Sequence, residues 1–120
     1  MNFIIDLKVY PFDVMVSFGE SDDKLRKKLS GLGIDNEDHL WQYGSDTCVG
    51  RAATLSNNAS ILRMRKNPET ATEFATLHHE IFHVVTFVMM RVGIKLKILV
   101  SDEAYAYLIG YITKEIYKKL

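Results

Sequence analysis

Three features of the chain predict an α+β fold built on a small sheet. Apolar and polar residues alternate from Phe3 to Phe18, the period of half-buried strands. Two further strand-like runs flank Asn57 and Asn58. Beyond residue 67 the apolar positions recur at helical spacing in two segments. A twisted, mostly antiparallel sheet packed on helices follows, in one domain over residues 1–120.

The elements follow in order. Phe3, Ile5, Leu7 and Val9 form one alternating run, and Phe12, Val14, Val16 and Phe18 a second, broken at Pro11. Ser21, with Asp22 and Asp23 behind it, opens a helix that stops at Gly31. A short helix is expected over 35–43, ended by Gly44. Residues 47–55 and 59–66 read as a hairpin, because asparagine tolerates the left-handed conformation of a tight turn. Asn67 is the expected cap of the next helix, with Pro68 at its first position and Glu69 in its first turn. Phe74, Leu77, Ile81, Val84, Val85 and Val88 carry that helix to Gly93. Residues 94–100 suit either a strand or a packed connector. Ser101 caps the last helix, whose first turn holds Asp102 and Glu103 and whose apolar face is Ala104, Leu108, Ile109 and Ile112.

Composition narrows the function. The chain has 120 residues, 48% of them hydrophobic, ordinary for one globular domain. Fifteen Lys and Arg cancel fifteen Asp and Glu, which gives no electrostatic basis for binding nucleic acid. Cys48 is the only cysteine, so no intrachain disulfide forms. Its expected role is that of a small apolar strand residue. Residues 1–10 carry Asp6 and Lys8 and lack the long apolar run of a signal peptide. No stretch is apolar enough to span a membrane. A cytoplasmic protein without a membrane or nucleic-acid partner is the expectation.

His79-Glu80-Ile81-Phe82-His83 carries the chemistry. On a helix, histidines at i and i+4 project from one face about a turn apart, as two ligands of one zinc ion must. Glu80, beside a ligand, is placed to take a proton from metal-bound water. Glu103, on the following helix, supplies a third, anionic ligand and leaves the fourth position for water. The bland reading is a buried helix with core histidines. It leaves Glu80 as an acid in an apolar run with no partner.

The segment Thr76-Leu77-His78-His79-Glu80-Ile81-Phe82-His83-Val84-Val85, followed by Ser101-Asp102-Glu103-Ala104, resembles the zincin metallopeptidases. Its spacing is similar to that of the thermolysin-like gluzincins, and the resemblance covers residues 55–110. It implies a small zincin-like fold, zinc held by His79, His83 and Glu103, and Glu80 as general base in peptide-bond hydrolysis. Those enzymes also carry a C-terminal helical domain with a histidine or tyrosine that stabilises the transition state. Only residues 104–120 follow Glu103 here. The chain thus looks like a stripped-down gluzincin, similar to small peptidase-like proteins of phages and mobile elements. The resemblance implies a peptide or protein substrate, recognised as an added strand along the sheet edge at 59–66. The alternative is a zincin-like module, weakly active or inactive, that keeps the metal and holds a partner protein.

Other residues have two readings each. Tyr107, one turn beyond Glu103, is placed to steady an oxyanion or to pack with Tyr105 and Tyr111. Asp102 either orients a ligating histidine or complements the helix dipole. His78 faces away from the His79–His83 stripe, and His39 reaches the site only if the tertiary fold carries it there. Arg63, Arg65 and Lys66 read as a solvated face guarding a sheet edge, or as a substrate-binding edge.

Overall fold

The structure is a computed structural model that describes residues 1–34 and 49–120. The helix expected over 35–43, with His39, and Cys48 lie outside the described residues. Strands β1 (Asn2–Asp6) and β2 (Asp13–Phe18) are followed by helix α1 (Asp22–Gly31). Strands β3 (Gly50–Thr54) and β4 (Ser60–Met64) precede α2 (Ala71–Arg91) and α3 (Asp102–Tyr117). The four strands lie in the order β1-β2-β4-β3. The outer pairings are antiparallel and the central β2–β4 pairing is parallel, with Val14 opposite Ser60 and Phe18 opposite Met64. The sheet is therefore mixed.

Helices cover both faces. Val14, Val16, Phe18, Leu62 and Met64 point into one core with Leu77, Ile81, Val84 and Val88 of α2 and Leu108, Ile112 and Ile116 of α3. Met15, Ala53 and Ile61 point the other way, onto Leu25 and Leu29 of α1. This corrects the half-buried reading of the second strand. β2 and β4 are central strands covered on both sides, so residues of both parities are buried along them.

A second correction concerns 59–66. β4 pairs with β2 on one side and β3 on the other, so it offers no edge to an extended substrate. The loop back through α1 and β3 places β4 inside the sheet, and β3 is the outermost described strand on that side. Arg63 consequently does not guard an edge. It is 1% exposed, and its guanidinium donates to Asp22 Oδ1 at 3.0 Å and to the Glu20 carbonyl at 3.3 Å. Arg65 and Lys66 lie past the end of β4 and are exposed.

Local signals set the ends. Ser21 caps α1 by accepting from the Lys24 N–H at 3.2 Å. Asn58 takes φ 70° in the β3–β4 turn, as expected of asparagine there. The start of α2 differs from expectation: its cap is Thr70, not Asn67. Thr70 Oγ1 accepts from the Glu73 N–H at 3.2 Å, and Glu73 Oε2 accepts from the Thr70 N–H at 3.0 Å. This reciprocal box satisfies two orphan donors at once, which outweighs a lone Asn-Pro signal. Gly93, at φ 77°, follows the end of α2 as expected. The buried face of α3 is Tyr105, Leu108, Ile112 and Ile116, while Ala104 and Ile109 are only partly covered.

Gly50 sets how closely α2 approaches the sheet. A Cβ there would come within 2.7 Å of Met64 Sδ and 3.2 Å of Thr76 Cγ2. Its absence lets α2 settle directly over β3.

Candidate metal centre

The motif sits in the middle of α2, away from its fraying ends. Leu77, Ile81, Val84, Val85 and Val88 bury one face of this helix, and His79 and His83 fall on the opposite, exposed one. Their Nε2 atoms lie 3.0 Å apart, one ring N–H donating to the other ring's bare nitrogen. Two nitrogens on one tetrahedral zinc at ~2.0–2.1 Å stand about 3.3 Å from each other. The donor pair therefore fits two ligand positions. Phe87 stacks on His83, with ring centroids 6.4 Å apart and planes at 19°. Phe87 escaped the sequence analysis, though its place one turn beyond His83 on the same stripe was the available signal.

Glu80 occupies the boundary between this exposed stripe and the core. It follows Thr76 by one turn, on the side of α2 that lies over β3. The residue is 9% exposed and has no hydrogen bond or ion pair with any described residue.

Glu103 stands elsewhere. The helices run antiparallel: Phe74 and His78 of α2 pack on Tyr117 near the end of α3, with ring centroids 5.8 and 5.9 Å apart. At the opposite end, the Tyr105 hydroxyl donates to the Ile94 carbonyl at 2.6 Å. Glu103 thus lies at the end of the pair where α2 finishes, whereas the histidines are midway along α2. It is exposed and lines a shallow depression on α3 with Tyr107, Tyr111 and Lys114. Tyr107 is 77% exposed and shares that depression, as its spacing from Glu103 requires. The structure brings the expected residues together as two pairs, His79 with His83 and Glu103 with Tyr107. Among the described residues no three His, Cys, Asp or Glu side chains gather to hold one ion.

The neighbouring side chains are engaged in other ways. His78 turns toward α3, where its Nε2 meets the Tyr117 hydroxyl at 2.9 Å. Tyr111 donates to the Asp6 carbonyl at 2.8 Å, so this tyrosine and Tyr105 brace the fold. Asp102, in the first turn of α3, makes no hydrogen bond to a histidine among the described residues, and its helix-dipole reading is the one its position serves.

No family model, curated protein or solved structure matches the chain.

Proposed function

We propose that the chain is a zinc-dependent peptide hydrolase of a minimal, gluzincin-like kind. The observation that carries this reading is the pair of imidazole nitrogens 3.0 Å apart, next in sequence to a buried carboxylate without a described partner. His79 and His83 would hold the ion, with Phe87 stacked on the His83 ring. A zinc ion so held would lower the pKa of its water toward about 7 and polarise the scissile carbonyl. Glu80 takes the proton of the attacking water and passes it to the leaving amine. With no partner among the described residues, both carboxylate oxygens are available for that transfer.

The separate position of Glu103 favours a second reading, a module that holds zinc through the histidine pair and binds a partner protein without turnover. Metal analysis distinguishes the two. The purified chain should carry about one zinc, and His83→Ala should lose it. Full metal content in His83→Ala would remove the ligand assignment. A sharp loss in Glu103→Ala supports a three-ligand hydrolase, and unchanged content in that variant favours the binding module.

A further inference from the structure

The connector between α2 and α3 is neither a strand nor a packed segment. Residues 95–100 are all exposed, and Ile98, Leu99 and Val100 are 82, 92 and 77% exposed. Single exposed aliphatics are ordinary, but a contiguous run held in water needs a reason. The run is not loose chain. Ser101 Oγ accepts from the Lys97 N–H at 2.8 Å and donates to the Lys95 carbonyl. The Lys97 carbonyl accepts from the N–H groups of Val100 and Ser101 at 3.0 and 2.9 Å. Leu99 is held at φ 66°, a conformation bulky side chains rarely adopt. Together these bonds close a tight turn whose apolar side chains face outward.

The same end of the molecule carries more exposed apolar surface. Val9, 82% exposed, lines a hollow of about 450 Å³ with Tyr107 and Leu108 on α3. Arg91, at the end of α2, lies over the Phe12 ring at 5.9 Å, which ties this helix end to the β1–β2 turn. Lys95 and Lys97 alternate with Leu96 and Ile98 and are exposed, and neither ammonium forms an ion pair among the described residues. Lys8 stands at the rim of the hollow. In sequence the carboxylates nearest Lys95 and Lys97 are Asp102 and Glu103, in the first turn of α3, and Lys8 stands beside Asp6 and Glu115.

We propose that this end of the protein is an interfacial anchor for an anionic lipid bilayer. Ile98, Leu99 and Val100 enter the headgroup boundary, and Lys95 and Lys97 pair with the anionic headgroups. The charge pattern fits this occupant: Lys95 and Lys97 alternate with the exposed Leu96 and Ile98, and an anionic surface neutralises them. Such a contact spans nothing, in keeping with the finding that no helix of the described residues is long and apolar enough to cross a membrane.

The test is co-sedimentation of the full chain with phosphatidylcholine vesicles and with phosphatidylcholine–phosphatidylserine vesicles. Partitioning onto the mixed vesicles should be about tenfold stronger or more, and should fall as salt is raised. Leu99→Asp, and separately the Lys95→Glu/Lys97→Glu double variant, should each reduce it about tenfold while circular dichroism stays unchanged. No binding to the mixed vesicles overturns the proposal, as does binding that Leu99→Asp leaves intact. A dimer in sedimentation equilibrium that Leu99→Asp dissociates, without vesicle binding, assigns the surface to a second copy instead.

Discussion

Glu20 and Glu80 are 8 and 9% exposed, on opposite faces of one sheet. On the α1 side, Glu20 accepts from Asn2 Nδ2, Ser17 Oγ and Lys28 Nζ, each at 2.6 Å. Its own carbonyl accepts from Arg63, which also pairs with Asp22. On the α2 side, Glu80 has no described partner at all. Burial raises the pKa of Glu20, but the hydrogen bonds from Lys28, Ser17 and Asn2 outweigh it and hold the carboxyl at about 2. A buried acid that serves the fold is surrounded by donors. Similar burial thus comes with different surroundings: three side-chain donors around Glu20, none described around Glu80.

The largest effect that sharpens this contrast is expected at Glu80. Glu80→Gln should lower turnover of a peptide library by about 10²–10⁴-fold if the carboxylate is the general base. The same variant should keep its zinc and change stability by no more than about 0.5 kcal/mol, because no described partner is lost. Unchanged turnover would remove Glu80 from the mechanism, and a large loss of stability would make it a second Glu20.

The next effect lies on the opposite face. Arg63→Ala should cost about 3–5 kcal/mol in denaturant unfolding, since it strips the buried network of its cation. Arg63→Met should cost less, because it restores apolar packing. An Arg63→Ala protein of native stability would show that the network is ornamental.

Acid titration gives a smaller effect with a definite sign. The carboxyl of Glu20 is depressed from 4.5 to about 2 in the fold. Its contribution is therefore present above pH 4.5 and is lost as the pH falls toward 2. Glu20→Gln should lose on the order of 2–3 kcal/mol at neutral pH. Its stability should then fall less steeply through that acid window. Some slope should persist, because backbone hydrogen bonds from Glu69 and Thr70, with Lys66, hold Glu73 at about 2 as well. An acid limb identical in the variant would contradict the donor inventory around Glu20.

The smallest effect concerns the helix that carries Glu80. Thr70→Ala should destabilise by about 1 kcal/mol as the capping bond is lost, and Asn67→Ala by much less. Equal losses in thermal unfolding would restore Asn67 as a contributor to the helix start.

Much of the fold was legible because its signals are local. Ser21 capped α1, Asn58 took the turn and Gly93 closed α2, since each depends on backbone conformations within a few residues. The Thr70–Glu73 box is equally local, but the Asn67-Pro68 pair three residues earlier offers a competing start signal. The depth of β2 and β4 was not legible, because a strand's period does not reveal how many layers cover it. Arg63 shows the same limit. In sequence it is one of three basic residues near a hairpin, and only the position of β4 between β2 and β3 makes it a buried ion.

The sequence by itself placed His79 and His83 on one stripe of a helix, with Glu80 beside them and Tyr107 one turn after Glu103. These relations follow from 3.6 residues per turn and need no other part of the chain. What the tertiary structure alone decided is how the two helices meet. The antiparallel packing of α2 and α3 sets the histidine pair midway along one helix and Glu103 at the far end of the other. It also left 94–100 outside the core, with Ile98, Leu99 and Val100 in solvent. Spacing along a chain fixes neighbours within one element, because the backbone there has a single repeat. Distances between elements depend on which faces bury together, a choice made by the whole core at once.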